Sequence, residues 1–127
     1  MILVDTHVVV WLAFDQGQLS KNARAAINEA RQNGEGLAIF DITLLELTSK
    51  GRIHLDISLE SFLREIEARF IVLPISGRAC VRALGLPVAY PKDPADRIIA
   101  ATALIEGLSL LTADRKIRRS RALHTIC

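Results

Sequence analysis

Short unbroken apolar runs alternate along the chain with longer stretches in which apolar positions recur every third or fourth residue. ILV at 2–4, LAIF at 37–40, IVL at 71–73 and SLLT at 109–112 are of the first kind. Runs this short, continuously apolar or nearly so, predict strands buried on both faces. The second kind predicts helices over 6–14, 21–32, 42–50, 59–70, 77–84 and 95–106, with a short basic helix after Asp114. Ser20, Asp41, Ser58, Ser76 and Asp93 stand where helix N-caps belong, and Pro94 follows at the first helical position. The NGEG stretch at 33–36, Gly51, Gly85 and Gly107 close helices. Leu123 to Ile126 is a candidate last strand. Strands alternating with helices in this way predict an α/β fold with a mainly parallel sheet covered on both faces. There is no internal repeat and no linker, so residues 1–127 are expected to form one domain.

Half of the 127 residues are hydrophobic, and the mean hydropathy is positive. A domain this small cannot hide that much apolar surface alone, so a dimer or partner interface is expected. The net charge is only +2, but Arg115, Lys116, Arg118, Arg119 and Arg121 crowd into one segment. Such a run reads either as a solvated helix end or as a grip on phosphates. Cys80, inside an apolar helical pattern, and Cys127 have no metal-ligand spacing, which fits a reducing cytoplasm. No signal peptide and no membrane span is expected, since no basic leader or long apolar stretch occurs.

Most acidic residues, among them Glu29, Glu60, Glu65, Glu67 and Glu106, fall on helix surfaces. Four are placed differently. Asp5 directly follows the first apolar run, and Asp114 follows the fourth in LLTAD. In a parallel sheet both emerge at the carboxyl ends of strands, where open α/β sheets bind ligands. Asp96 lies in the first turn of a helix that starts near the same edge, and Glu46 lies in the helix after the second strand. Each has a plain structural alternative. Asp5 and Asp114 are also good helix caps, Asp96 suits a helix dipole, and Glu46 suits an exposed helix face. Together, four carboxylates at one edge repel strongly unless a counter-charge joins them, which points to a hard divalent cation with oxygen ligands.

MILVDTHVVVWL, ITLLELTSKGRI, KDPADRIIAATALIEGLSLLTAD and the basic tail together resemble the PIN domain family, in particular the VapC-type toxin ribonucleases of bacterial toxin–antitoxin pairs. The resemblance covers nearly the whole chain in order. It implies a three-layer α/β/α sandwich around a sheet of four to five strands. It also implies an endoribonuclease dependent on one or two Mg²⁺ or Mn²⁺ ions, leaving 5′-phosphate and 3′-hydroxyl ends. The family's acidic quartet falls on Asp5, Glu46, Asp96 and Asp114. Thr6 and Thr112 match hydroxyl positions beside those acids, and Asp93 is a further acid that serves either as helix cap or as outer support. Arg97 is a candidate RNA contact together with Arg115, Lys116, Arg118 and Arg119. An antitoxin protein is the implied partner, with an RNA substrate and a homodimer.

His7, His54 and His124 have no partner at motif spacing and receive no role. A phosphatase of the haloacid dehalogenase type needs a second Asp two residues after Asp5, where this chain has His7. The other reading is a non-catalytic RNA-binding or scaffold protein on the same fold; the complete acidic quartet argues against it.

Overall fold

The computed structural model describes residues 1–49 and 58–127. Among these residues five strands, β1 (Ile2–Val4), β2 (Leu37–Phe40), β3 (Ile71–Leu73), β4 (Ser109–Leu111) and β5 (Thr125–Ile126), form one sheet in the order β3-β2-β1-β4-β5. Every pairing is parallel. Among the described residues seven α-helices flank the sheet: α1 (Thr6–Phe14), α2 (Lys21–Gln32), α3 (Asp41–Ser49), α4 (Leu59–Arg69), α5 (Gly77–Leu84), α6 (Pro94–Glu106) and α7 (Arg115–Ser120).

The two-residue period of the strands sorts the core into two layers. Val4, Leu37, Ile39 and Leu111 pack with Val8 and Val9 of α1, Ile27 of α2 and Ile66 of α4. Leu3, Ala38, Phe40 and Leu110 pack on the opposite side with Ile99, Ala100 and Ala103 of α6 and Ile117 of α7. Small side chains, Ala79 and Ala83 of α5 against Ala101 of α6, bring the outer helix close. This is the expected three-layer sandwich.

Local chemistry explains the helix starts. Ser20, Ser58 and Ser76 each accept the amide of the residue three further on, at Ala23, Ser61 and Ala79. Gly107, at φ 66, ends α6 in the left-handed region that favours glycine.

Four details depart from the sequence reading. Asp41 is the first residue of α3 and not its cap, because the helix leaves β2 with no intervening residue. Ile42 then packs in the α6 layer while Leu44 and Leu47 pack in the α1 layer, so α3 crosses the end of the sheet. Cys80 is exposed, since α5 buries only the stripe of Ala79 and Ala83. The last strand is two residues long, because Leu123 turns into the core first. The predicted stop at Gly51 and His54 lie outside the described residues.

Candidate functional site

The chain runs from β1 outward to β2 and β3, then returns to the other side of β1 as β4. The strand order therefore reverses between β1 and β4, and a crevice opens beyond their carboxyl ends. Asp5 and Asp114 follow these two strands.

Asp5 is 8% exposed and fully engaged. Its amide donates to the Leu111 carbonyl at 3.0 Å, tying the end of β1 to β4. Its Oδ1 accepts the Thr6 amide at 2.8 Å, and its Oδ2 accepts the Thr112 hydroxyl at 2.7 Å. The same hydroxyl accepts the Asp114 amide at 3.1 Å, so Thr112 links the two acids. Asp5 is thus both a helix cap and a carboxylate held at the sheet edge. Asp114 is also a cap: its Oδ1 accepts the Lys116 and Ile117 amides.

Glu46 is brought in from α3, the helix that crosses the sheet end. Its Oε1 accepts the Thr6 hydroxyl at 3.0 Å, and that hydroxyl also lies 3.4 Å from the buried Thr43 hydroxyl. Thr6 and Thr112 therefore orient carboxylates, as hydroxyls at these positions can.

Asp96 completes the group electrostatically. Burial pushes its carboxyl up to about 7, reinforced in order by the charges of Asp93, Asp5, Asp114 and Glu46. Asp93 occupies the cap position of α6, yet its side chain makes no capping hydrogen bond. It adds negative charge beside Asp96 and does not secure the helix start. Among the described residues, the ion pairs are Met1 with Glu35 and Arg69 with Glu65, so none of these acids is neutralised by one.

Sequence reasoning missed Tyr90. It is 1% exposed, and its hydroxyl donates to the Asp96 carbonyl at 3.1 Å. Burial first, then the charges of Asp96, Asp5 and Asp114, raise its phenol above the ordinary range, with Arg97 opposing. The one signal was a lone tyrosine in the proline-rich PVAYPKDP stretch. Arg97, the candidate RNA contact in the first turn of α6, is held by the protein's own backbone. Its guanidinium donates to the Ala83 and Tyr90 carbonyls, both at 3.3 Å, so it pins the loop before α6. Thr43 carried no sequence signal, because a threonine in a helix predicts nothing about its partners.

Arg115, Arg118, Arg119 and Arg121 line an open depression of about 550 Å³ beside Thr125 and Cys127. Lys116 does not line it, and its own amide is used by Asp114. His7 is exposed, its ring 6.4 Å from that of Trp11, and the His124 ring bonds Ser109.

The acids suit a metal of a particular kind. Among the described residues, no three Asp, Glu, His or Cys side chains stand close enough to enclose an ion. The group offers hard oxygen donors and uncompensated negative charge, not a finished cage. That fits Mg²⁺, which keeps several waters and takes one or two carboxylates together with substrate phosphate.

The comparisons with known proteins agree with this architecture. The family model for the PIN domain matches residues 2–123. Ribonuclease VapC22 of Mycobacterium tuberculosis is 35% identical over 123 residues, covering 94% of this chain and 92% of the relative. A toxin–antitoxin complex from Klebsiella pneumoniae aligns at 25% identity and a TM-score of 0.60, over 90% of this chain and 87% of that one. VapBC2 from Rickettsia felis, bound to a promoter DNA fragment, shares the fold at a TM-score of 0.70 and 20% identity, over 98% and 97% of the two chains. With its sheet, its acid-bearing edge and these matches in agreement, the chain belongs to the PIN domain family, in the VapC-type branch.

Proposed function

We propose that this protein is a Mg²⁺- or Mn²⁺-dependent endoribonuclease, the toxin of a toxin–antitoxin pair, acting in the cytoplasm. The observation that carries the reading is the acidic character of the β1–β4 edge, where the charges of Asp5, Asp114 and Glu46 bear on the Asp96 carboxyl and, among the described residues, no ion pair neutralises any of them. The ribonuclease relative supports the activity, and the Klebsiella complex supports an antitoxin partner. Exposed Val81, Leu84 and Val88, on and just after α5, support a homodimer.

In this mechanism Asp5, Asp96, Asp114 and Glu46 are the residues that would hold the ion, with substrate phosphate and water supplying the remaining oxygens. When bound, a divalent ion would supply positive charge at the scissile phosphate and lower the pKa of water. The chain's own part is orientation. Thr112 fixes one oxygen of Asp5 and the start of the Asp114 turn, while Thr6 fixes Glu46. Tyr90 and Arg97 hold the start of α6, and with it Asp96 and Asp93. No serine or cysteine nucleophile is required.

Metal-stripped protein incubated with a mixed pool of structured RNA is expected to leave it intact, and added Mg²⁺ or Mn²⁺ is expected to restore cutting to 5′-phosphate ends. RNA and metal binding without cutting would instead favour a binding protein on the same fold.

The basic depression serves the RNA backbone in this reading. Neutralising Arg118 and Arg119 together is expected to weaken RNA binding and to flatten the log–log salt slope by about 0.7 per lost phosphate contact on single strands. An unchanged slope removes these arginines from the interface.

A further inference from the structure

Beside the acidic edge lies a second, apolar pocket of about 210 Å³. Val8 and Trp11 of α1, Leu19 and Ala23 around the start of α2, and Leu111 at the end of β4 line it, and so does Arg118. Thr112 and Ala113 line it as well. Thr112 is the residue whose hydroxyl holds Asp5, so the pocket and the acid cluster share one wall. Arg118 and Cys127 line both this pocket and the arginine depression, so the two adjoin.

Resting on the ribonuclease reading, we propose that this pocket receives one unpaired nucleobase of the RNA, placed against Trp11, while the adjoining phosphates lie on Arg115, Arg118 and Arg119. An apolar slot with an aromatic wall suits a planar base, and single-stranded RNA is recognised through splayed bases stacked on aromatic side chains. The volume suits a single ring system and not a whole nucleotide with its charged phosphate. The charge is arranged to match: apolar inside, cationic where the backbone must run. An apolar partner side chain would fill the slot but would leave the adjoining arginines without an anion. Because the shared wall includes Thr112, a seated base fixes the strand relative to Asp5, and the pocket becomes a determinant of where the RNA is cut.

The protein reports on this pocket directly, because Trp11 is its one tryptophan. Intrinsic fluorescence would be followed during titration with short single-stranded RNA in the presence of chelator. A parallel titration would use an abasic oligonucleotide of the same length and charge, with binding followed independently by anisotropy of a labelled backbone. Quenching by RNA alone, with tighter binding of RNA than of the abasic strand, is the expected result. Trp11→Ala is expected to lower RNA affinity by about 5- to 100-fold, the range for losing one base–aromatic stack, and to leave abasic binding unchanged. Trp11→Phe is expected to recover most of the loss. Equal binding of both strands with no quenching would overturn the base pocket, assign it to another occupant such as a partner side chain, and leave the nuclease reading standing. Absence of binding by either strand would overturn both.

Discussion

Asp5→Asn is expected to eliminate RNA cleavage, lowering it by more than about 100-fold, while the protein still folds. Changes one step removed from a metal already cost about 10- to 100-fold, so loss of a ligating charge exceeds that. Folding survives because the amide has the shape of the carboxylate. Its oxygen still accepts the Thr6 amide, and its nitrogen can donate to Thr112, whose hydroxyl turns away. The variant also removes one charge from a cluster of like charges, so metal-free protein does not lose stability through electrostatics. The diagnostic reading is thermal stability with and without Mg²⁺. Wild-type protein gains about 2.7 kcal/mol when the ion is present at a hundred times its Kd, and the variant gains much less. Retained cleavage in purified Asp5→Asn would remove Asp5 from the site.

The second large effect is on pH dependence. The Asp96 carboxyl is raised from 3.8 to about 7 in the folded protein. Between those values the native state holds a proton that the unfolded chain has released. Stability of the metal-free protein therefore falls as pH rises from about 4 to 7, then levels off. The loss is on the order of 2–4 kcal/mol, toward the lower figure because solvent screens a half-buried group. Asp96→Asn is expected to flatten that part of the profile. Mg²⁺ should flatten it as well in wild-type protein, because a nearby cation favours the ionised form. Unfolding midpoints measured across this range, with chelator and with Mg²⁺, test both statements. A wild-type slope identical to that of Asp96→Asn would show that this carboxyl is not the group that titrates.

The two effects concern residues of different legibility. Asp5 and Asp114 stood out in the sequence because one follows an apolar strand directly and the other follows one within a short turn, and parallel strands all end at one edge. Serine caps and glycine stops were equally plain, since both depend on local backbone chemistry. Neighbour order was not: period tells which face a strand residue takes but not which strand lies beside it, so the reversal between β1 and β4 appears only in the fold. The same gap explains Arg97. A charged residue in the first turn of a helix looks solvent-bound until the PVAYPKDP loop folds back and offers it the Tyr90 carbonyl, beside that of Ala83 in α5. Asp93 satisfied every local rule for a cap, yet its side chain makes no capping bond. Tyr90 reaches Asp96 across a loop whose path no periodicity encodes.

The bond between the Thr112 hydroxyl and Asp5 joins positions 107 residues apart. Loop-closure entropy makes such distant pairings slow to form. A nascent chain or proteolytic fragment that carries Asp5 without the β4 segment holds a loose carboxylate with neither its strand partner nor its hydroxyl. In the proposed reading, copies cut short before β4 are expected to be inactive, because the acidic edge assembles only after the two distant segments have met.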